Sequence, residues 1–313
     1  MAKKSIEQLL QETDHCVVAP CVYDCASARA VELVGFEAMM LSGGEVSIAM
    51  NGVIDYGFTN LTDLEWITSR IAQTSPLPFA ADIEDGFGGP LAVYRAARRL
   101  AMTGATAFQL EDSGDMEETT SLMPRELYYE KVRAALAALK GTNCILIART
   151  NADPETELEE GCERMRMAHE LGARLTTVVR IGNLEQAKFV SKRVPGWKMY
   201  PDVRDIDGKP AVTSEQIYPL GFNFMTMHYT LKAAMDGMLE HGLKNFAQQG
   251  CHYTCQKVDA TGVMGMSATP LFDPQSYMEL AGRFGHKREY TIVGNKVEEF
   301  PSGFVRSKID ERL

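Results

Sequence analysis

The stretch Pro78-Phe79-Ala80-Ala81-Asp82-Ile83-Glu84-Asp85-Gly86-Phe87-Gly88-Gly89-Pro90 reads as a complete strand-to-helix unit. Its apolar start is that of a buried parallel strand, its glycines let the backbone turn sharply, and Pro90 suits the first turn of a helix. Three carboxylates, Asp82, Glu84 and Asp85, fall within four positions at the strand end. Two readings fit that charge: a solvated turn whose acids cap the next helix, or the metal-binding edge of an active site.

Outward from this unit the same pattern repeats. Strand-like segments at 16–19, 38–41, 79–81, 107–110, 145–148, 175–179, 198–200 and 222–226 alternate with helical segments near 25–34, 62–73, 91–103, 125–140, 156–171, 183–193, 213–219 and 229–247. A short amphipathic helix at 5–12 precedes them. Several helices close on a glycine suited to the left-handed position, as at Val34-Gly35, Thr103-Gly104, Leu171-Gly172 and Leu220-Gly221. Eight strand-helix units without a break in composition predict an α/β fold, a (β/α)8 TIM-type barrel over residues 1–250, with a doubly wound open sheet as the alternative. Residues 251–313 leave the repeat and hold a short helical piece at 274–285. They are expected to form a C-terminal helical extension packed on the barrel or on a neighbouring subunit, in a homo-oligomer, a dimer or tetramer.

Composition narrows the function. The 313 residues are 45% hydrophobic and 24% charged, ordinary values for a globular protein. Lys and Arg number 32 against 42 Asp and Glu, a net charge of −10, which disfavours nucleic acid and anionic membrane surfaces as partners. The seven cysteines at 16, 21, 25, 144, 162, 251 and 255 are scattered, as reduced thiols of a cytoplasmic protein would be. Cys251-His252-Tyr253-Thr254-Cys255 has the spacing of a soft-metal site but no second pair to close a tetrahedron. The N-terminus lacks the apolar segment of a secretory signal, and no apolar run reaches the ~18 residues of a membrane span.

In a barrel all strand C-termini open on one face, so distant segments read as one constellation. Strand two ends in Ser42-Gly43-Gly44-Glu45, strand three in Asp82, Glu84 and Asp85, strand four in Glu111-Asp112, strand five in Arg149-Thr150-Asn151 and strand eight in His228, with Asp55 on the loop after strand two. Converging carboxylates repel unless a cation neutralises them, and Mg2+ suits oxygen ligands while keeping waters that a substrate can replace. Ser42 to Gly44 offers a hydroxyl and close backbone access for a small anion, and Arg149 a bidentate partner for a carboxylate. Each feature also has a purely structural reading: a tight turn at Ser42-Gly43-Gly44, a structural partnership of Arg149 with Asp82 or Glu111, a satisfied, partly buried His228. His169, within a helical pattern, reads as structural. No Gly-x-Ser-x-Gly elbow, phosphate-loop lysine motif or Gly-x-Gly-x-x-Gly after the first strand is present.

Taken in order, Tyr23-Asp24 with Ser27-Ala28-Arg29, Leu41-Ser42-Gly43-Gly44, Asp55-Tyr56-Gly57, Asp82-Ile83-Glu84-Asp85-Gly86-Phe87-Gly88-Gly89, Glu111-Asp112 and Ile147-Ala148-Arg149-Thr150 resemble the isocitrate lyase / phosphoenolpyruvate mutase superfamily over roughly residues 15–245. The resemblance implies a (β/α)8 barrel with a helix exchanged between subunits. It also implies Mg2+, with Mn2+ as a substitute, holding a small anionic 2-oxo or 2-hydroxy acid whose enolate is stabilised during bond cleavage. It places Asp82 and Glu84 on the metal positions, Glu84 replacing the more usual aspartate. Glu111 and Asp55 fall on the outer carboxylates that hold metal waters, and Ser42, Gly43, Gly44, Asp82 and Arg149 on substrate-binding positions.

The chain also departs from the family pattern. The mobile loop carrying a catalytic cysteine in isocitrate and methylisocitrate lyases corresponds to residues 113–124, shorter and without cysteine, histidine or lysine. The lysine and asparagine loop of the phosphonate-forming mutases is absent, and Val179 stands where lyases tend to have glutamate and mutases histidine. A metal, Arg149, an anion cradle and His228 remain, most like the oxaloacetate decarboxylase branch. The expected function is therefore a Mg2+-dependent carboxy-lyase with Arg149, His228 and Asp55 as catalytic residues and His228 also contacting substrate. Alternatives are a 2-methylisocitrate or 2,3-dimethylmalate type lyase with a substitute acid such as Tyr23, a phosphonopyruvate hydrolase or mutase, and a metabolite-binding descendant. Phe58, Val179, Arg180, Asp202 and Lys232 are expected to set specificity by shape.

Overall fold

The computed structural model describes residues 4–114, 122–202, 205–206, 209–249, 280 and 282–284. Eight parallel strands close into a barrel: β1 (Val17–Val22), β2 (Met39–Leu41), β3 (Phe79–Asp82), β4 (Ala107–Glu111), β5 (Ile145–Thr150), β6 (Leu175–Val178), β7 (Trp197–Tyr200) and β8 (Phe222–Met227). β1 pairs with both β2 and β8, so the sheet is closed and the open doubly wound alternative is excluded. The helices are α1 (Ile6–Glu12), α2 (Cys25–Val34), α3 (Gly43–Val46), α4 (Leu61–Thr74), α5 (Pro90–Leu100), α6 (Arg125–Leu139), α7 (Leu158–Leu171), α8 (Leu184–Arg193), α9 (Ser214–Ile217) and α10 (Thr230–Gln248).

The barrel interior follows from the two-residue period of a strand. Val17, Ala19, Cys21, Met40, Ala80, Ala107, Ile145, Ile147, Leu175, Met199 and Phe224 share one buried cluster with Ile6, Leu9 and Leu10 of α1. α1 therefore plugs the end where the strands begin. Ser5 caps it through a reciprocal pair with Gln8, and the Ile6 N–H donates to Thr106 Oγ1 at 3.0 Å. Stepping two residues from the same inward set leads from Met40 to Ser42, Ala80 to Asp82, Ala107 to Gln109 and Glu111, Ile147 to Arg149, and Phe224 to Thr226 and His228. The parity that fills the core thus carries polar groups at its other end.

Three local expectations change. The first strand runs on to Val22, which brings Cys21 into the sheet. Gly43 and Gly44 open a short helix with Ser42 as N-cap, continued by a π-helical turn over Ser47–Asn51, so the segment is more than a tight turn. The helix expected at 213–219 divides into α9 and a 3-10 turn, Tyr218–Leu220. A two-stranded ribbon, Asp205–Ile206 with Lys209–Pro210, was not foreseen. Pro90 does open α5, and Gly86, at φ +85°, has no room for a side chain, because a Cβ would lie 2.5 Å from Val93 Cγ2.

Two compact units divide the chain: Met1–Ala28 with Phe36–Leu231, and Arg29–Gly35 with Lys232–Leu313. In the second, Lys232 pairs with Asp236 at 2.8 Å, and Met235, Met238, Leu239, Leu243 and Phe246 of α10 are exposed. The cysteine pair at 251 and 255 and the extension at 251–313 lie outside the described residues, apart from Leu280 and residues 282–284. Residues 115–121 of the loop after β4 lie outside them too, while its ends meet in an antiparallel bridge between Ser113 and Leu122. No described helix is long and apolar enough to cross a membrane.

Candidate functional site

The strand ends gather four carboxyl groups around one guanidinium. Arg149 Nη1 lies 3.1 Å from Asp82 Oδ2 and Nη2 lies 2.8 Å from Glu111 Oε2. Nη2 and Nε also donate to Asn151 Oδ1, at 3.1 and 3.3 Å. Arg149 is thus the structural partner of both Asp82 and Glu111, with its planar fork largely committed. Glu111 accepts a short bond from Ser113 Oγ, which in turn accepts from Asn151 Nδ2 at 2.6 Å.

Glu84 is the exception. Its backbone is left-handed at φ +52°, a conformation that costs a non-glycine residue, and its N–H donates to Asp82 Oδ1 at 3.0 Å. This twist turns its carboxyl toward Gly43, where a Cβ would lie 2.9 Å from Glu84 Oε1. A Cβ on Gly44 would likewise lie 2.9 Å from Asp55 Oδ2. The two glycines are needed because carboxylates occupy the space that side chains would fill.

Glu84 Oε1 is buried and has no hydrogen-bond partner. Burial, followed by the charges of Asp82, Asp55 and Glu111, pushes the Glu84 carboxyl up to about 9. Burial also raises Asp82 against the lowering effect of Arg149, and raises Asp55, which Glu111 pushes further. One guanidinium does not balance four acids in so dry a place.

The donor set is all oxygen and carries excess negative charge, the chemistry of a hard divalent cation. Among the described residues no three His, Cys, Asp or Glu side chains form a ready-made metal cage. Mg2+ does not require one, since it binds through one or two carboxylates and keeps waters. Asp82 and Glu84 therefore fit such an ion, with Asp55 and Glu111 behind them. A cavity of about 580 Å3 opens onto Glu84 and Glu111, walled by Phe87, Ser113, Leu127 and Lys131 among others.

The other charged residues of these strand ends do structural work. Lys131, only 3% exposed, donates to both the Asp85 carbonyl and Asp85 Oδ2 at 2.9 Å, fixing the turn after β3. Asp112, fully buried, accepts from Thr150 Oγ1 at 2.7 Å and the Asn151 N–H at 2.8 Å, and pairs with Arg164 at 3.2 Å. Of the adjacent acids Glu111 and Asp112, strand parity sends only the first into the barrel mouth.

His228 meets Ser42 from across the mouth: Nε2 lies 3.4 Å from Ser42 Oγ, and Nδ1 lies 2.5 Å from Asp202 Oδ1. Asp202 was expected only to shape the pocket. The pairing was hidden because 26 residues separate the partners. Burial lowers the His228 pKa, but Asp202, Glu45 and Asp82 outweigh it and leave the imidazole above its ordinary 6.5. Arg180, left-handed at φ +64°, donates to the Asn151 carbonyl at 2.6 Å. Phe58 is exposed, and Lys232 belongs to the second unit.

A family model described as phosphoenolpyruvate phosphomutase matches residues 6–243. The petal death protein of Dianthus caryophyllus is 33% identical over 256 residues, 79% of each chain. An oxaloacetate decarboxylase of Rhodopseudomonas palustris is 33% identical over 153 residues, 48% of this chain and 53% of that protein. A crystal structure of oxaloacetate acetylhydrolase superposes with a TM-score of 0.80 at 26% identity, covering 91% of this chain and 99% of that one.

Proposed function

The chain belongs to the phosphoenolpyruvate mutase / isocitrate lyase superfamily of lyases and mutases, and from that premise we propose that it is a Mg2+-dependent carboxy-lyase of the oxaloacetate decarboxylase type. The observation that carries this reading is the buried, unpartnered Glu84 carboxyl among Asp82, Asp55 and Glu111 at the barrel mouth. Such a cluster is costly to keep for structure alone, and a divalent cation with an anionic substrate satisfies it. When bound, the cation supplies a Lewis acid that polarises the 2-oxo group of the substrate.

The chain's own residues supply the rest. Arg149, locked by Asp82, Glu111 and Asn151, is a fixed positive charge beside the reacting group, and that fixity is what electrostatic stabilisation of an enolate oxygen needs. Asp82 and Glu84 would hold the cation, with Asp55 and Glu111 as the outer carboxylates of the site. Ser42, Gly43 and Gly44 bind the substrate edge, Ser42 through its hydroxyl. His228 stands where a proton must return once a carboxyl group has left, in a chain whose loop offers no cysteine, histidine or lysine. The relatives named for oxaloacetate chemistry support the substrate class.

We place the enzyme in the cytoplasm, where its described free cysteines Cys16, Cys21, Cys25, Cys144 and Cys162 stay reduced. Its partner is a second copy of itself, as dimer or tetramer. The exposed stripe of Met238, Leu239, Leu243 and Phe246 on α10 supports helix exchange between subunits, with residues 251–313 as an extension of the barrel of residues 1–250.

The test is a screen of 2-oxo and 2-hydroxy diacids with Mg2+, read by product NMR. Conversion of oxaloacetate to pyruvate and CO2, lost with EDTA, is the expected result. Cleavage of 2-alkylmalates without oxaloacetate turnover would make it a carbon-carbon lyase of the dimethylmalate type. A new phosphorus signal from phosphonopyruvate would make it a P–C enzyme. Turnover of none, with intact Mg2+ binding, would mark a metabolite-binding descendant.

A further inference from the structure

Three side chains from just past the ends of β2, β7 and β8 line up at the mouth: Asp202 Oδ1 lies 2.5 Å from His228 Nδ1, and His228 Nε2 lies 3.4 Å from Ser42 Oγ. An ionised carboxylate only accepts, so the proton between the first pair sits on Nδ1. Ser42 Oγ, which accepts the Glu45 N–H at 3.2 Å, is then placed to donate its hydroxyl proton to Nε2 of the neutral ring. These bonds select one tautomer of neutral His228, with Nε2 as the basic atom facing the site.

We propose that Asp202 is a positioning residue that fixes His228 as the proton donor of this site. The inference rests on the carboxy-lyase reading and deepens it. In the step, the C3–C4 bond of oxaloacetate breaks, CO2 leaves, and the electron pair passes into the enolate of pyruvate. Imidazolium His228 then gives the Nε2 proton to C3, the enolate collapses to the ketone, and neutral His228 remains with its Nδ1–H on Asp202. Solvent returns the proton, since the imidazole side chain is 42% exposed. The charged groups facing the ring are all acids, namely Asp202 after β7, Glu45 on α3 and Asp82 on β3, so each favours the imidazolium that donates.

The experiment compares the full-length wild type with Asp202→Asn and Asp202→Glu, each checked for native circular dichroism. It measures kcat and KM for oxaloacetate across pH with saturating Mg2+, and titrates 15N-histidine-labelled protein by NMR, with His228→Asn to assign the signal. In Asp202→Asn, kcat is expected to fall roughly 10²-fold with little change in KM. The alkaline limb and the His228 titration should both move to lower pH, the Nδ1–H tautomer signature should disappear, and Asp202→Glu should restore most of each. An unchanged kcat and limb in Asp202→Asn would overturn the proposal, and so would a fall in kcat with the His228 titration and tautomer unmoved. Should the wild type not decarboxylate oxaloacetate, the carboxy-lyase reading fails by itself. The NMR arm then decides the positioning: a Nδ1–H tautomer in the wild type, lost in Asp202→Asn, sustains it, and any other pattern overturns it.

Discussion

The two ends of the barrel are made by the same eight strands and differ in almost every other respect. At the end where the strands begin, Ile6, Leu9 and Leu10 seal an apolar core, and its cationic side chains have partners. Lys198 donates to the Val194 and Gly196 carbonyls, and Arg174 lies over Trp197 while pairing with Glu7. At the end where the strands finish, Glu84 and Gln109 each bury an oxygen without a partner, and Glu84, Phe87 and Arg180 adopt left-handed backbone conformations. One end is closed by apolar packing, and the other gathers acidic side chains around a single guanidinium. The contrast separates what makes the fold from what the proposed activity would use.

The strongest way to break this contrast is Arg149→Met. Removing the guanidinium strands Asp82 and Glu111, and about 3–5 kcal/mol of stability should go with it, along with all activity, by denaturant melts and turnover assay. Leu9→Ala attacks the sealed end. It should cost about 2–5 kcal/mol in the same melts and leave kcat unchanged at temperatures where the protein stays folded. Gly43→Ala sharpens the comparison, because the new methyl displaces the Glu84 carboxyl by pressing on Oε1. Cation affinity should fall about 10–100-fold by calorimetry, with little loss of metal-free stability. Thr106→Val is the mildest: the Ile6 N–H loses its acceptor at the plug, for about 1–3 kcal/mol and no kinetic effect.

Much of the sealed end was legible in sequence, because strand parity and helix caps are local. The alternation that makes Met40, Ala80, Ala107 and Ile147 inward residues also names Ser42, Asp82, Glu111 and Arg149 two or four positions on. The capping pair Ser5 and Gln8 lies within one turn. What parity does not carry is rotation off the regular path. Glu84 reaches Gly43 through a left-handed φ, which no propensity assigns to glutamate. Asp202 meets His228 only after β7 and β8 pair, and the split between a buried structural Asp112 and an inward Glu111 depends on where Arg164 of α7 comes to rest. Ser42 was visible as a candidate site residue, but its task as N-cap of α3 depends on a helix only four residues long.

The central claim is that Glu84 is held in an unfavourable place so that a divalent cation can be bound there, and thermal unfolding of the wild type and Glu84→Gln, with EDTA and with Mg2+, tests it most directly. In the metal-free fold the Glu84 carboxyl is raised from 4.5 to about 9, so its contribution to stability is present below the lower value and is lost as pH rises toward the upper one. Metal-free Glu84→Gln should therefore melt above metal-free wild type, by more at the alkaline end of that window than at the acid end. Mg2+ at roughly 100-fold over Kd should stabilise the wild type by about 2–3 kcal/mol and Glu84→Gln hardly at all. Equal melting of the two metal-free proteins, together with equal stabilisation of both by Mg2+, would contradict the claim.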